Sequence, residues 1–197
     1  MLTLAVDTSL PILSVALIRD EALIGALALE GRGSRNEKLL PAVDWLLSEN
    51  AIDRKTIELF AVTRGPGSFT GVRIGLATIQ GLALVLGRPV CAMSTHEAIA
   101  HGETGSVVVA DDAGRGEFYV SRFEDGVEVE PPHLASEAPQ GAISVAAFAE
   151  HDNVALRCAR RALEIQRRGD LERYRDITPI YVRLAEAEVK LKQKQNA

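Results

Sequence analysis

The chain opens on short apolar runs, residues 2–6, 12–18 and 22–29, separated by turns of a few residues. Runs of this length predict strands, and connections this short predict an antiparallel meander. Gly31, Arg32 and Gly33 then break the pattern. Ser34 and Glu37 stand at capping-box spacing, and Leu39, Leu40, Val43, Leu46 and Leu47 form a helical stripe with Pro41 early in it, where proline can kink a helix. Trp45 falls off that stripe, which puts it at a domain edge or on a contact surface.

The next apolar run, residues 59–62, ends abruptly at Gly65, Pro66 and Gly67, and Ser68 or Thr70 supplies the oxygen that caps the following helix. Backbone N–H groups converge at such a turn, so it reads either as an anion or phosphate site or as a tight turn with a cap. Phe69, Val72, Leu76, Ile79, Ala83 and Leu86 make one apolar face of the helix; Gly71, Gly75, Thr78, Leu82 and Val85 make a second uncharged one. Only Arg73 and Gln80 interrupt before Gly87 and Pro89 stop it. A helix apolar on nearly every side must be covered on nearly every side, at the centre of its own domain or by a partner chain. A strand over residues 89–93 and a brief helix to Ala100, capped by Ser94 or Thr95, close this segment.

Residues 103–106 read as a linker into a second segment. Strands at residues 107–110 and 117–123 flank an acid-bearing turn, residues 111–116. Residues 125–140 are acidic and proline-rich, which predicts short edge strands and loop. A short helix at 145–148, a strand at 153–156 and a helix over 158–168 ended by Gly169 follow. Residues 181–194 predict a last helix whose end carries Lys190, Lys192 and Lys194. A meander followed by alternating helices and strands is the succession of the actin-like, ribonuclease-H-like α/β fold. The expected organisation is two lobes, residues 1–101 joined by a C-terminal helix 180–197, and a shortened second lobe over 102–179.

Composition narrows the class only modestly. The 197 residues are 47% hydrophobic and 25% charged, an ordinary globular balance, and the net charge of −5 gives no global attraction to nucleic acid. Cys91 and Cys158 stand far apart, without metal or disulfide spacing, and predict reduced thiols. Met1 to Val6 enters a strand without a basic leader, so no secretion signal is expected, and no uncharged apolar run reaches membrane-spanning length; the helix from Thr70 to Leu86 comes closest, but its glycines and Arg73 predict a buried helix of a soluble protein.

Asp7 at the end of the first strand, followed by Thr8 and Ser9, occupies the place where actin-like enzymes hold magnesium and phosphate. Leu10 and Pro11 then replace the glycine such a turn uses, and Pro11 lacks an N–H. Asp111 and Asp112 could face Asp7 across a cleft, or all could serve their own turns. No P-loop or dinucleotide fingerprint fits residues 65–73, and His96 and His101 are five apart, on different faces. The arginines from Arg157 to Arg175 alternate with acids and fit a solvated, ion-paired face better than an RNA contact.

Residues 4–9 (LAVDTS) and 63–81 (TRGPGSFTGVRIGLATIQG) resemble the signature of the bacterial TsaB family, also called YeaZ. Leu40 and Pro41 match its first helix, Asp112, Ala113, Gly116, Glu117 and Tyr119 its second-domain turn, and Pro179, Tyr181 and Arg183 its closing motif. Nearly the whole chain is covered. The resemblance implies a non-catalytic subunit that pairs with TsaD and the ATPase TsaE to install threonylcarbamoyl on the adenosine beside the anticodon of certain tRNAs. Its pairing surface would lie on the first-lobe helices, at Gly71, Arg73, Ile74, Gly75, Thr78, Gln80, Leu82, Val85 and Trp45. The same face would make a homodimer when the chain is alone. Asp7, Thr8, Ser9 and Asp112 would form a degenerate nucleotide site. The chain alone would bind no cofactor or metal, ATP would be used by the complex, tRNA would be reached through it, and the location would be cytoplasmic. The catalytic paralogue TsaD carries a His-x-x-x-His metal motif, and here that neighbourhood reads Arg35, Asn36 and Glu37. Gly114 stands in place of a frequent arginine, and the second domain is short for the family. The competing readings are an actin-like ATPase or kinase centred on Asp7, and a glycoprotein peptidase.

Overall fold

Alternation of side chains along the first strands decides how the molecule is layered. In β1 (Leu2–Asp7), Leu2, Leu4 and Val6 face one side of the sheet and Ala5 the other. The computed structural model describes residues 1–30 and 35–183. β1 pairs antiparallel with β2 (Leu13–Arg19), which pairs antiparallel with β3 (Ala22–Leu29), the predicted meander. β4 (Leu59–Thr63) adds to the other side of β1 in parallel, and β5 (Val90–Met93) adds to β4, giving the order β3-β2-β1-β4-β5. This is the actin-like, ribonuclease-H-like arrangement expected.

One face of this sheet carries large aliphatic residues and is covered by α1 (Arg35–Glu49) and α2 (Phe69–Leu86). Leu4, Val6, Val15, Leu17, Phe60 and Val62 pack there with Leu39, Val43, Leu46, Val72, Leu76 and Ile79. The opposite face carries small residues, Ala5, Ala16 and Ala61, beside Ile18, Leu59 and Met93, and it receives α5 (Val154–Arg168) through Ala155, Cys158, Ala159 and Ala162. Small side chains on both partners let the helix sit close to the strands. The N-terminus of α5 is also tied to the sheet: Asn153 Nδ2 donates to the Leu27 carbonyl at 2.9 Å, and the Ala155 N–H donates to Ser14 Oγ at 3.0 Å.

The second sheet has the order β8-β7-β6-β9, from β6 (Ser106–Gly114), β7 (Glu117–Glu124), β8 (Val127–Ala135) and the short β9 (Ile143–Ser144) that leads into α4 (Val145–His151). Its Val107, Val109 and Phe123 join the small-residue core around α5, so apolar packing runs continuously from one sheet to the other. Between the sheets lies α3 (Thr95–Ala100), capped by Ser94, whose Oγ accepts the Glu97 N–H at 2.9 Å.

Some sequence expectations are corrected here. Residues 153–156, read as a strand, form the cap and first turn of α5: Asn153 Oδ1 accepts the Leu156 N–H at 2.9 Å, and capping overrides the apolar run. The acidic, proline-rich stretch holds one nine-residue edge strand, β8, with Pro131 and Pro132 tolerated because the outer edge needs no donor. Tyr181–Arg183 are not helical, and the rest of the predicted last helix, with Lys190, Lys192 and Lys194, lies outside the described residues, as does Ser34 of the predicted capping box.

The N-terminus of α2 resolves the choice of cap: Ser68 Oγ accepts the Gly71 N–H at 3.2 Å. Gly71 and Gly75, expected at a partner surface, face inward instead. A Cβ on Gly71 would lie 2.0 Å from the Thr8 carbonyl oxygen, and one on Gly75 would lie 2.4 Å from Thr8 Oγ1. The glycines therefore let α2 press against the end of β1, and they are removed from the candidate partner face. Nor is α2 covered on all sides. It passes for a membrane span by length and composition, but its Val72, Leu76, Ile79 and Ala83 bury on the sheet while Leu84 and Val85 stay 81% and 84% exposed.

Gly75→Ala is expected to destabilise the chain by about 1–3 kcal/mol in urea titration. In a Thr8→Ala background the same change should cost less than half as much, because the opposing hydroxyl is gone. Gly71→Ala, opposed by a backbone carbonyl, should show no such relief.

Candidate functional site

The strand ends of both sheets meet at a cleft of about 580 Å³, the place where actin-like enzymes hold nucleotides. Ser9, Leu10, Pro11 and Ile12 from the β1–β2 turn form one wall, with Gly67 and Ser68 beside them; Asp111, Asp112 and Tyr119 from the second sheet and Ala146 and Ala149 from α4 form the other. Asp7 does not line it. The residue is wholly buried, and its Oδ1 accepts the Ser9 N–H at 3.2 Å, the Ser9 hydroxyl at 2.5 Å and the Thr63 hydroxyl. Oδ2 has no hydrogen-bond partner, and burial pushes the carboxyl above its ordinary range. Asp7 thus serves its own turn and the neighbouring strand.

Thr8 and Ser9 are spent in the same way. The Thr8 hydroxyl donates to the Gly71 carbonyl at 2.7 Å, and the Ser9 carbonyl accepts the Ser68 N–H at 2.7 Å. The N–H groups of Gly71 and Val72 go to the Ser68 side chain and carbonyl. Three N–H groups of the glycine-rich turn, those of Ser68, Gly71 and Val72, are thus taken up by protein acceptors.

Across the cleft, Asp112 is exposed and caps its own turn, accepting the Gly114 N–H at 2.7 Å. Asp111 is half-buried, and burial, aided by Asp112 and Asp7, pushes its carboxyl up to about 6. Among the described residues no three His, Cys, Asp or Glu side chains converge as a metal site.

α3 stitches the lobes together behind the cleft. Thr95 Oγ1 lies 3.0 Å from Ser9 Oγ in the first lobe, and His96 Nδ1 lies 2.8 Å from Ser121 Oγ in the second. Burial lowers the His96 pKa to about 3, so its ring is neutral. His101 sits on the other side of α3's end, 3.5 Å from Glu164. Cys91 and Cys158 are buried free thiols.

The remaining candidate residues lie on the outer face of α2 and on α1. Arg73, Gln80 and Val85 are exposed, and Ile74, Thr78 and Leu82 are half-buried. Trp45 on α1 is 52% exposed, and a shallow groove lined by Val43, Asp44, Leu47, Leu82 and Leu86 joins the two helices. The face also includes Leu84, which the periodicity assigned to neither apolar stripe.

A feature missed in the sequence is the path of residues 176–183. The Arg64 carbonyl accepts the Ile180 N–H at 2.7 Å, and Arg64 Nη1 donates to the Thr178 carbonyl at 3.1 Å. Arg73 stacks 3.7 Å over the Phe69 ring and donates to the Tyr181 hydroxyl at 2.7 Å, while Arg183 binds Glu117 and the Ala113 carbonyl on the second sheet. The strap therefore bridges both lobes. Its only advance signal was the tyrosine and arginine of the closing motif.

The arginines of α5 and the turn after it are largely consumed internally. Arg157 pairs with Asp152 at 2.8 Å, Arg161 with Glu97 at 2.9 Å and Arg175 with Glu172 at 3.1 Å; Arg168 pairs with Glu164.

The pKa direction at Asp7 fixes a test of its role. The folded chain holds the Asp7 proton more tightly than the unfolded one, so stability falls as pH rises above the ordinary value of 3.8. Asp7→Asn keeps an acceptor for Ser9 and Thr63 and removes that loss. Its urea midpoint should exceed the parent's at about pH 7.5 and match it at about pH 3.

Over residues 33–167 the chain matches the family model described as TsaD: tRNA N6-adenosine threonylcarbamoyltransferase. It is 31% identical over 153 residues to an uncharacterized protein of Mycobacterium tuberculosis, covering 75% of this chain and 72% of that one. It is 37% identical over 129 residues to the tRNA threonylcarbamoyladenosine biosynthesis protein TsaB of Escherichia coli, covering 63% of this chain and 55% of that protein. The solved structure of YeaZ from Pseudomonas aeruginosa superposes with a TM-score of 0.70 at 26% identity, covering 91% of this chain and 99% of that one.

Proposed function

The chain belongs to the TsaB (YeaZ) family, whose relatives are named for the biosynthesis of threonylcarbamoyladenosine in tRNA, and on that premise we propose that it acts there as a non-catalytic subunit docking a TsaD-type partner on α1 and α2. The observation that carries this reading is the apolar surface left open on α2. Leu84 and Val85 on α2 and Trp45 on α1 stand exposed, and a narrow crevice lined by Leu47, Leu82 and Leu86 lies between the two helices. Large apolar side chains exposed on neighbouring helices favour protein contacts, and an exposed tryptophan is a favoured anchor of such contacts.

The state of the cleft supports the non-catalytic half of the proposal. A phosphate-handling enzyme of this fold needs a strand-end carboxylate turned to the ligand and free N–H groups at the loop. Here Asp7 is committed to Ser9 and Thr63, and the N–H groups of Ser68, Gly71 and Val72 are committed to Ser9 and Ser68. On this reading the chain takes no cofactor of its own, the ATP of the complex is used by its TsaD- and TsaE-type partners, and tRNA is reached through them in the cytoplasm. Alone, the chain covers the same face by pairing with itself.

Val85→Asp and Trp45→Ala test the face, both side chains being exposed enough to leave the fold intact. Each should weaken capture of purified TsaD by at least about tenfold, with an unchanged unfolding midpoint. Wild-type capture by both variants would remove the α2 face from the proposal. Depletion of the chain in its host should lower threonylcarbamoyladenosine measured by mass spectrometry of tRNA nucleosides, and unchanged levels would contradict the pathway assignment.

A further inference from the structure

Arg73 is the one charged side chain among the 18 residues of α2, and it is held in place. Its guanidinium carbon lies 3.7 Å over the Phe69 ring and 5.5 Å from the centre of the Tyr181 ring, and Nε donates to the Tyr181 hydroxyl at 2.7 Å. The two ring centres are 5.2 Å apart. Tyr181 comes from 108 residues farther along the chain, and its neighbour fixes it there: the Ile180 N–H donates to the Arg64 carbonyl at 2.7 Å. The cluster nevertheless faces solvent, with Arg73 exposed and Phe69 and Tyr181 at 44% and 41%. We propose that the clamped Arg73 receives one carboxylate of the protein that docks on α2; this rests on the reading of α2 as the docking face.

Geometry selects the carboxylate. With Nε spent on Tyr181, the N–H groups left on the guanidinium all sit on Nη1 and Nη2, a planar pair that matches the two oxygens of a carboxylate. Phe69 and Tyr181 hold this fork before any partner arrives, so less side-chain freedom is lost on binding than a free surface arginine would lose. An arginine set among exposed aromatic rings is also the composition of an interface anchor. Position selects a protein. Arg73, Ala77, Gln80 and Leu84 are all exposed and recur at helical spacing along one line of α2, which puts Arg73 about 17 Å from Leu84 on the same side. The arginine therefore continues the surface that Leu84 and Val85 expose. A nucleic-acid contact draws on several cations along a stripe, and α2 offers one. One fixed charge at the end of an apolar surface sets register and rejects partners that lack the matching acid.

Binding of purified TsaD to the full chain, followed over a salt series, tests this. Arg73→Gln should weaken capture by at least about tenfold and flatten its salt dependence, with little change in the unfolding midpoint. Tyr181→Phe keeps the ring, frees the guanidinium and should weaken capture about threefold. Arg73→Lys places an amine at the same point. Carbodiimide treatment of that complex should join the amine to an Asp or Glu of TsaD, identified by mass spectrometry, in preference to the amine of Ala77→Lys one turn along. Wild-type capture by Arg73→Gln, where Val85→Asp weakens it, would overturn the clamp and leave the docking face standing. A loss in Arg73→Gln seen only when tRNA is present would assign the guanidinium to a phosphate and overturn the proposal, as would the absence of a cross-link to a TsaD carboxylate. No capture of TsaD by the wild-type chain would remove the docking reading and this inference with it.

Discussion

The structure depends on how closely α2 can approach the end of β1. Thr8 sits at that junction, with its carbonyl opposite Gly71 and its hydroxyl opposite Gly75, and neither position leaves room for a methyl group. The contact is polar as well as tight: the Thr8 hydroxyl binds the Gly71 carbonyl, and the Ser9 carbonyl binds the Ser68 N–H. Once α2 is seated there, its Val72, Leu76 and Ile79 are in register with the large residues of the sheet, and its opposite side is turned to solvent. One close approach thus both completes the core and leaves the outer helix face turned to solvent.

The same contact occupies the turn after β1. In a phosphate-binding turn, backbone N–H groups and a strand-end carboxylate are held apart from the protein and aimed at a ligand. Here they are turned on one another. Ser9 donates its hydroxyl to Asp7 and accepts the Ser68 N–H through its carbonyl, so one residue ties the strand-end carboxylate to the α2 turn. What remains open to the cleft is apolar surface and the carboxylates of the far wall.

Much of this was legible from residue order. The meander, β4, the glycine turn and the length of α2 follow from run lengths, caps and stop signals. The direction of the glycines was not, because helical periodicity groups Gly71 and Gly75 with Thr78, Leu82 and Val85 without saying which member meets Thr8. That decision is tertiary, made by the path of β1. Residues 153–156 misled for a related reason: Val154, Ala155 and Leu156 form an apolar run too short to distinguish strand from helix, and Asn153 caps whichever helix its neighbours can bury. The strap over residues 176–183 left little local signal because its contacts are with Arg64, Arg73 and Glu117, each far away in sequence. The cleft's acidic wall was visible as Asp111 and Asp112, but its apolar floor comes from α4 and the β1–β2 turn, which only folding brings together.

The short helix α3 has a mechanical meaning. Thr95 holds Ser9 of one lobe and His96 holds Ser121 of the other, with all four side chains buried. Parting the sheets there would give up both hydrogen bonds, each worth about 0.5–1.5 kcal/mol net of solvation, and would open a core that runs through Ala5, Ala159 and Phe123. Two hydrogen-bonded pairs, Thr95 with Ser9 and His96 with Ser121, thus fasten one sheet to the other behind the cleft, and a six-residue helix carries both.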